Sequence, residues 1–428
     1  MGLRTAIFST YPPRECGIGT FSFDVRSALL DVPGIDDVSS IAVVNEPSSR
    51  QRSDVLSTVS QEVRADYGRA ARLIGRLDID VVLLQHEFGI FGGIDGEYVL
   101  SFAQELAQPL VVTLHTVLSQ PSPHQLRVLT ALCDQSERVI VMTDTARRLL
   151  VEVGASAAEK IRVVPHGVPV VLSRQRGVQA AARRPLDVAP TLGGYARRRS
   201  RFLLSTFGLL SAGKGLETVI KALPLIVKRH PEVLYLIAGR THPRVARREG
   251  EQYRLMLERL VVDLDLGDHV AFDDRFLSID ELADLLAITD VFVTPYRSRE
   301  QTSSGSLTFA IAAGCAAVST PYWYAEDMLW SGAGQIVPFD DPQALAEAVC
   351  EFACQPDVLA TARAAARRVG SRLTWPSVAS ATAMVLREAA TNAPLRTPSL
   401  PLVLPRVAAE IRASSSGEGW PLEVGRVA

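Results

Sequence analysis

Short apolar runs recur along the chain, alternate with stretches of helical spacing, and begin again after a polar interval. The first set is TAIFST (5–10), SIAVV (40–44), VVLLQH (81–86), PLVVTLH (109–115), RVIVMT (138–143) and IRVVPHG (161–167). Runs this apolar have no face suited to water, so they read as strands covered by helices on both sides, in a parallel sheet. The second set is RFLLSTFG (201–208), VLYLIAG (233–239), VAFDD (270–274), DVFVTP (290–295) and AAVSTP (316–321), with a helix expected from about Leu216 to Lys228. Between them, residues 171–200 carry Arg183, Arg184, Arg197, Arg198 and Arg199 among glycines and read as a solvated linker. The expectation is an α/β chain with domains over 1–170 and 201–372, facing each other across a cleft. An amphipathic helix is expected over 373–390. The proline-bearing remainder, 391–428, is expected to be a poorly ordered tail.

Length and composition agree. A chain of 428 residues exceeds one ordinary core. With 47% hydrophobic but only 6% aromatic residues, it suits helices on buried strands better than a β-sandwich. A formal charge of -2 gives no reason to expect nucleic-acid binding. Cys16, Cys133, Cys315, Cys350 and Cys354 lack paired spacing, which argues against a disulfide framework or zinc site and for a reducing, cytoplasmic setting. No run reaches about 18 apolar residues, so no transmembrane segment is expected, while a peripheral membrane contact stays open.

In open parallel sheets, ligands bind beyond the carboxyl ends of the strands. After DVFVTP, residues Ser303, Ser304, Gly305 and Ser306 stand where a helix begins, so unpaired N–H groups and the positive end of the helix dipole invite a phosphate. Arg297, Arg299 and Glu300 just upstream offer charge for a diphosphate and an acceptor for a sugar hydroxyl. After the second half's first strand, Lys214 lies between Gly213 and Gly215 in a loop entering a helix. This is not a Walker A motif, because Gly215 stands where Ser or Thr belongs. After the chain's first strand, Gly17 and Gly19 permit close backbone approach and, with Arg14, read as a floor for phosphate or acceptor sugar, although GxGxxG is incomplete. His86, Glu87, His115 and Thr116 follow two further strands, and no third ligand at recognisable spacing makes them a metal site. Asp78/Asp80 and Asp263/Asp265 have DxD form but precede strands, so they sit at the wrong edge for metal-bound diphosphate. A metal-independent mechanism is expected.

Together the Gly17/Gly19 loop, TLHT, VVPHG, FGLLSAGKG, the 290–321 unit and the Trp375 helix resemble the retaining glycosyltransferases of family 4 over about residues 3–390. The resemblance implies the GT-B fold, two Rossmann-like domains with the last helix crossing back to the first. It implies transfer of a hexose, mannose or glucose, from a nucleoside diphosphate sugar to a carbohydrate or other hydroxyl acceptor, with no cofactor and no metal. By position it assigns catalytic roles to His115, Lys214 and Glu300. Donor binding falls to Gly17, Gly19, Gly213, Arg275, Phe276, Gln301, Ser304, Gly305 and Ser306, with Gln301 the alternative to Glu300 as first acid of the EX7E motif. Arg14, His86 and Glu87 are expected to bind the acceptor. Two departures stand out: with AIAAG aligned on the family's helix the second acid falls at Phe309, and the arginine that usually precedes the lysine loop is Leu209. Arg240, Arg297 and Arg299 are candidates to replace that cation. An epimerase or phosphorylase on the same architecture, or a degenerate nucleotide-sugar-binding protein, are the alternatives.

Overall fold

The computed structural model describes residues 2–14, 16–45, 52–173 and 202–392; the expectations for the rest of the linker and for the tail fall outside this set. The first half runs β1 (Leu3–Thr10), α1 (Gly17–Leu30), β2 (Ile35–Val44), β3 (Val55–Ser60), α2 (Arg64–Ile74), β4 (Val81–His86), α3 (Val99–Glu105), β5 (Leu110–Leu114), α4 (Pro123–Asp134), β6 (Arg138–Val141), α5 (Asp144–Glu152) and β7 (Ile161–Val163). The second opens β8 (Leu203–Phe207), α6 (Leu216–Arg229), β9 (Leu234–Ala238), α7 (Pro243–Glu249), α8 (Gln252–Asp263), β10 (Val270–Asp273) and α9 (Ile279–Ile288). It closes β11 (Val291–Thr294), α10 (Gly305–Ala312), β12 (Ala316–Ser319), α11 (Trp323–Leu329), β13 (Gly334–Ile336), α12 (Pro342–Cys354), α13 (Pro356–Gly370) and α14 (Trp375–Asn392).

Strands pair in the orders β3-β2-β1-β4-β5-β6-β7 and β10-β9-β8-β11-β12-β13, parallel throughout. Each sheet starts in its middle and winds outward both ways. The order therefore reverses between β1 and β4 and between β8 and β11, which opens a crevice at the carboxyl ends of those strands. Two strands escaped the apolar-run pattern. β3 is an edge strand whose buried Val55 and Val59 are spaced by exposed and half-exposed neighbours, and β13 is three residues long with none buried. Several runs outlast their strands. RVIVMT stops at Val141 because Thr143 caps α5, its hydroxyl accepting from Ala146 N at 3.0 Å, and IRVVPHG stops at Val163, ahead of the donorless Pro165.

The last helix belongs to the first sheet's side. Its buried residues Trp375, Val378, Ala379, Thr382, Ala383, Val385, Leu386 and Ala389 fall three or four apart, one stripe of a helix, and the alanines let α1 approach closely. On α1, Phe21, Ser22, Val25 and Leu29 form the answering stripe. Trp375 N donates to Val168 O at 2.9 Å, and Glu388 accepts from Arg138 at 2.7 Å and from Arg162 at 3.1 Å, so both ends of the helix are tied. One buried cluster runs from Ile7, Phe21 and Leu83 through Trp375 and Leu386 to Phe292 and Leu307, which makes the two halves share a core. Among the described residues, no helix is long and apolar enough to cross a membrane.

Candidate active site

The loop after β8 is pressed onto the loop after β11. Gly215 sits at φ +62, where an added Cβ would meet Pro295 O at 2.2 Å, so only glycine allows this approach. Arg297 N also donates to Gly213 O at 3.1 Å. The approach delivers Lys214, whose Nζ donates to the Tyr296 hydroxyl at 2.5 Å and lies 4.2 Å from that ring's centroid. The same hydroxyl is 2.8 Å from Ser306 Oγ and 3.5 Å from Ser304 Oγ. Ser304 is the N-cap of α10, accepting from Leu307 N at 3.4 Å, while the N–H groups of Gly305 and Ser306 lie in the first turn, where no intrahelical carbonyl reaches. An ammonium, hydroxyls and helix-terminal amides thus converge, the makings of an oxyanion bed.

The loop after β5 closes over this bed. Ser119 Oγ donates to Glu300 Oε1 at 2.5 Å, Val117 N donates to Thr302 Oγ1 at 3.1 Å, and Ser303 Oγ donates to His115 O at 3.0 Å. Glu300 and His115, on different halves, are therefore joined through neighbouring backbone and hydroxyls. The His115 ring is buried, with Nε2 2.8 Å from Gln85 Oε1 and its face edge-on to Phe21. Burial, then His166 and His86, push its pKa down to about 3, so it stays neutral near pH 7 and keeps one donor and one acceptor.

His166 was not among the expected site residues. Its Nδ1 donates to Gly167 O at 2.7 Å, which leaves Nε2 as the acceptor, and a Cβ built on Gly305 would lie 3.5 Å from that Nε2. Burial lowers its pKa to about 4. It follows β7 as the others follow their strands, and Tyr296 follows β11 in the same way, so the strand-end rule reaches both; a phenol ring, unlike a lysine or a helix start, gives no sign in sequence of a place beside an anion.

The remaining expected residues divide. Gln301 Nε2 donates to Ser303 O at 2.8 Å and so braces the α10 entrance. Glu87 accepts from Thr116 Oγ1 at 2.6 Å and from Phe88 N at 3.0 Å. Gly17 and Gly19 form the first turn of α1 behind Cys16, whose Sγ accepts from Gly19 N at 3.2 Å; a Cβ on Gly17 would meet nothing within 4 Å. An Arg14 guanidinium nitrogen lies 3.5 Å from Val43 O. His86 is not brought to this group. It follows Gln85 on β4 and so faces the opposite side of the sheet from His115, between Phe88 and Phe91, with neither ring nitrogen bonded. Arg275 is held by Asp273 at 2.8 Å and Glu281 at 2.7 Å, and Phe276 lies exposed under the Arg240 guanidinium, 5.6 Å from its centroid. Arg297 pairs with Glu217 at 3.3 Å and Arg299 with Glu326 at 3.5 Å, so neither brings an unpaired charge in place of the one missing at Leu209. Phe309, on α10, is half-buried, its ring 6.1 Å from His166. Asp80 accepts from Arg4 N at 2.7 Å and Asp78 pairs with the Arg4 side chain, at the amino end of β1. Among the described residues no three His, Cys, Asp or Glu side chains are grouped to hold a metal ion.

This pair of doubly wound sheets with an oxyanion bed on the second defines a GT-B protein. Residues 201–355 match the family described as Glycosyl transferases group 1, and residues 44–171 match Glycosyltransferase Family 4; together the spans exceed half of the chain. The chain belongs to the family 4 glycosyltransferases. It is 29% identical over 299 residues to the phosphatidyl-myo-inositol mannosyltransferase of Mycolicibacterium smegmatis, covering 67% of each chain. It is 25% identical over 305 residues to the D-inositol 3-phosphate glycosyltransferase of Thermobispora bispora, covering 66% of this chain and 65% of the relative. These alignments thus span about two thirds of the relatives' length. In fold it is similar to Anabaena HepE in complex with UDP (TM-score 0.70, 16% identity, 90% of this chain and 100% of that one). A glycosyltransferase from Rickettsia africae aligns likewise (TM-score 0.73, 14% identity, 92% and 100%).

Proposed function

We propose that the protein moves a hexosyl group, mannosyl or glucosyl, from a nucleoside diphosphate sugar to a hydroxyl acceptor, with retention of anomeric configuration and without a metal. The observation that carries this reading is the bed formed by Lys214, Tyr296, Ser304, Ser306 and the first turn of α10. Breaking the bond between sugar C1 and the diphosphate leaves extra charge on the departing oxygen. Preorganised donors aimed there stabilise that charge without having to reorient. The acceptor oxygen bonds to C1, and its proton ends on the diphosphate. The family membership and the mannosyl- and glycosyltransferase relatives support the sugar class, and the UDP held by Anabaena HepE supports a nucleotide donor.

His115 and His166, both neutral, serve as uncharged hydrogen-bond partners for the sugar, and Glu300 takes a sugar hydroxyl. The Ser119–Glu300 and Ser303–His115 bonds hold the halves together and keep water, the competing acceptor, away from C1. The reading places the reaction in the cytoplasm. A thermal-shift screen of UDP, GDP and ADP sugars tests it, since a ligand at 100 times its dissociation constant adds about 2.7 kcal/mol. Stabilisation by one donor, followed by its consumption only when a hydroxyl acceptor is added, is the expected result. Donor turnover without acceptor identifies the epimerase, phosphate dependence the phosphorylase, and binding without turnover the degenerate binder.

A further inference from the structure

Tyr296 lies at the centre of the oxyanion bed, and its hydrogen bond with Lys214 has a forced direction. A lysine ammonium only donates, so the Tyr296 oxygen must accept from Lys214 at 2.5 Å. The Tyr296 proton then goes to one of the other neighbours, of which Ser306 Oγ is nearest at 2.8 Å. With Ser306 Oγ accepting, its own proton is free to turn elsewhere. Beside it lie the Gly305 and Ser306 N–H groups, also donors, so a hydroxyl proton and two amides stand ready for an acceptor at the start of α10.

We propose that Tyr296 is a positioning residue for the donor diphosphate: it holds Lys214 over the first turn of α10 and, by accepting from the ammonium, directs the Ser306 proton toward a bound phosphate oxygen. The proposal rests on the diphosphate reading above. The ring itself is held in place. Lys214 Nζ lies 4.2 Å from its centroid, and the Tyr322 ring stacks on it at 4.8 Å and 17°. The backbone is fixed too, with Tyr296 O accepting from Thr320 Oγ1 at 2.6 Å. A diphosphate, which only accepts, finds matching donors here, whereas a neutral ligand would leave several of them unpaired.

The arrangement also sets a pH dependence. Burial drives the Tyr296 pKa up, but the Lys214 charge and the hydrogen bonds that Lys214, Ser304 and Ser306 give to the deprotonated oxygen outweigh it, so it lies below the usual phenol value. The other titratable group against the ring is Tyr322, pushed well up by burial and by Tyr296; Arg297, beside Gly215, is paired with Glu217 and Asp340. As pH rises through the Tyr296 pKa, below the ordinary value of about 10, the hydroxyl loses the proton it gives Ser306 and sets a negative charge against the phosphate. Binding then weakens.

The test is calorimetric titration of inorganic pyrophosphate into the full chain from pH 7 to 10, comparing wild type, Tyr296→Phe, Ser306→Ala and Lys214→Ala, with melting temperatures recorded. Phenylalanine keeps the ring that Lys214 and Tyr322 touch and removes only the hydroxyl. Expected are about tenfold weaker binding for Tyr296→Phe, an alkaline limb moved to higher pH, and a similar loss for Ser306→Ala should the tyrosine variant prove unstable. Wild-type affinity and an unmoved limb in Tyr296→Phe, with binding lost in Lys214→Ala, would overturn the role of Tyr296 and leave the diphosphate reading standing. No pyrophosphate binding by the wild type, or binding indifferent to Lys214→Ala, would overturn both.

Discussion

Gly215→Ala probes the joint between the lysine loop and the end of β11. The residue sits at φ +62, and an added Cβ would stand 2.2 Å from Pro295 O and 3.0 Å from the Arg297 side chain. Placing an L side chain in the left-handed region costs about 1–2 kcal/mol. The clash is with a backbone oxygen, which cannot swing aside as a side-chain tip can, so relief requires moving one loop, at about 1–3 kcal/mol. The sum, about 2–5 kcal/mol, corresponds to roughly 4–20 °C for a domain of about 150–250 residues. Lys214 is the adjacent residue, so the movement also takes its ammonium away from Tyr296 and α10. Scanning calorimetry together with donor KM reads both effects, a lower melting temperature and a KM raised at least several-fold. A variant that melts within 1 °C of wild type and binds donor equally well would refute the packing argument.

Three further substitutions follow from the same structure. Lys214→Ala removes the ammonium at the bed and should lower kcat/KM by about 100- to 1000-fold, the loss seen for one preorganised oxyanion donor, with the melting temperature kept; intact turnover counts against the electrostatic account. Glu388→Gln tests the anchor of α14. Hydrogen bonds from Arg138 and Arg162 hold this carboxyl down to about 2, below the value of about 4.3 in an unfolded chain. Its contribution is thus present above pH about 4.3 and lost as pH falls toward 2. The variant should melt lower at pH 7, with the gap from wild type closing across that window in a pH series of melts. His86→Leu removes two buried ring nitrogens that have no partner, and should raise stability by about 1 kcal/mol. Burial holds the His86 pKa at about 4, so below about pH 6.5 the unfolded chain takes up a proton first and stability falls. The variant should flatten that acid slope, and a loss of acceptor affinity in steady-state kinetics would restore the acceptor role expected from its sequence position.

Much of the architecture was legible because burial on both faces leaves an unmistakable apolar run, and because ligands gather where such runs end. That rule singles out Lys214, Glu300, Ser304 and His115 as candidates, and the family resemblance supplies the roles expected of them. β3 and β13 were not, since an edge strand needs few apolar residues and a three-residue strand cannot show a pattern. Tyr296 and Ser119 lay hidden as site residues for another reason. Each owes its place to a loop from elsewhere in the chain, Tyr296 to the lysine loop after β8 and Ser119 to the Glu300 loop across the halves, and such approaches leave no periodicity in either segment.

The central claim is that the amino end of α10, with Lys214, grips the diphosphate of a sugar donor. A crystal structure with an intact nucleoside diphosphate sugar tests it directly. The account predicts phosphate oxygens within hydrogen-bonding distance of the Gly305 and Ser306 amides and of Lys214 Nζ, with the sugar turned toward His115 and Glu300. A diphosphate bound elsewhere, with Lys214 still resting on Tyr296, would contradict it.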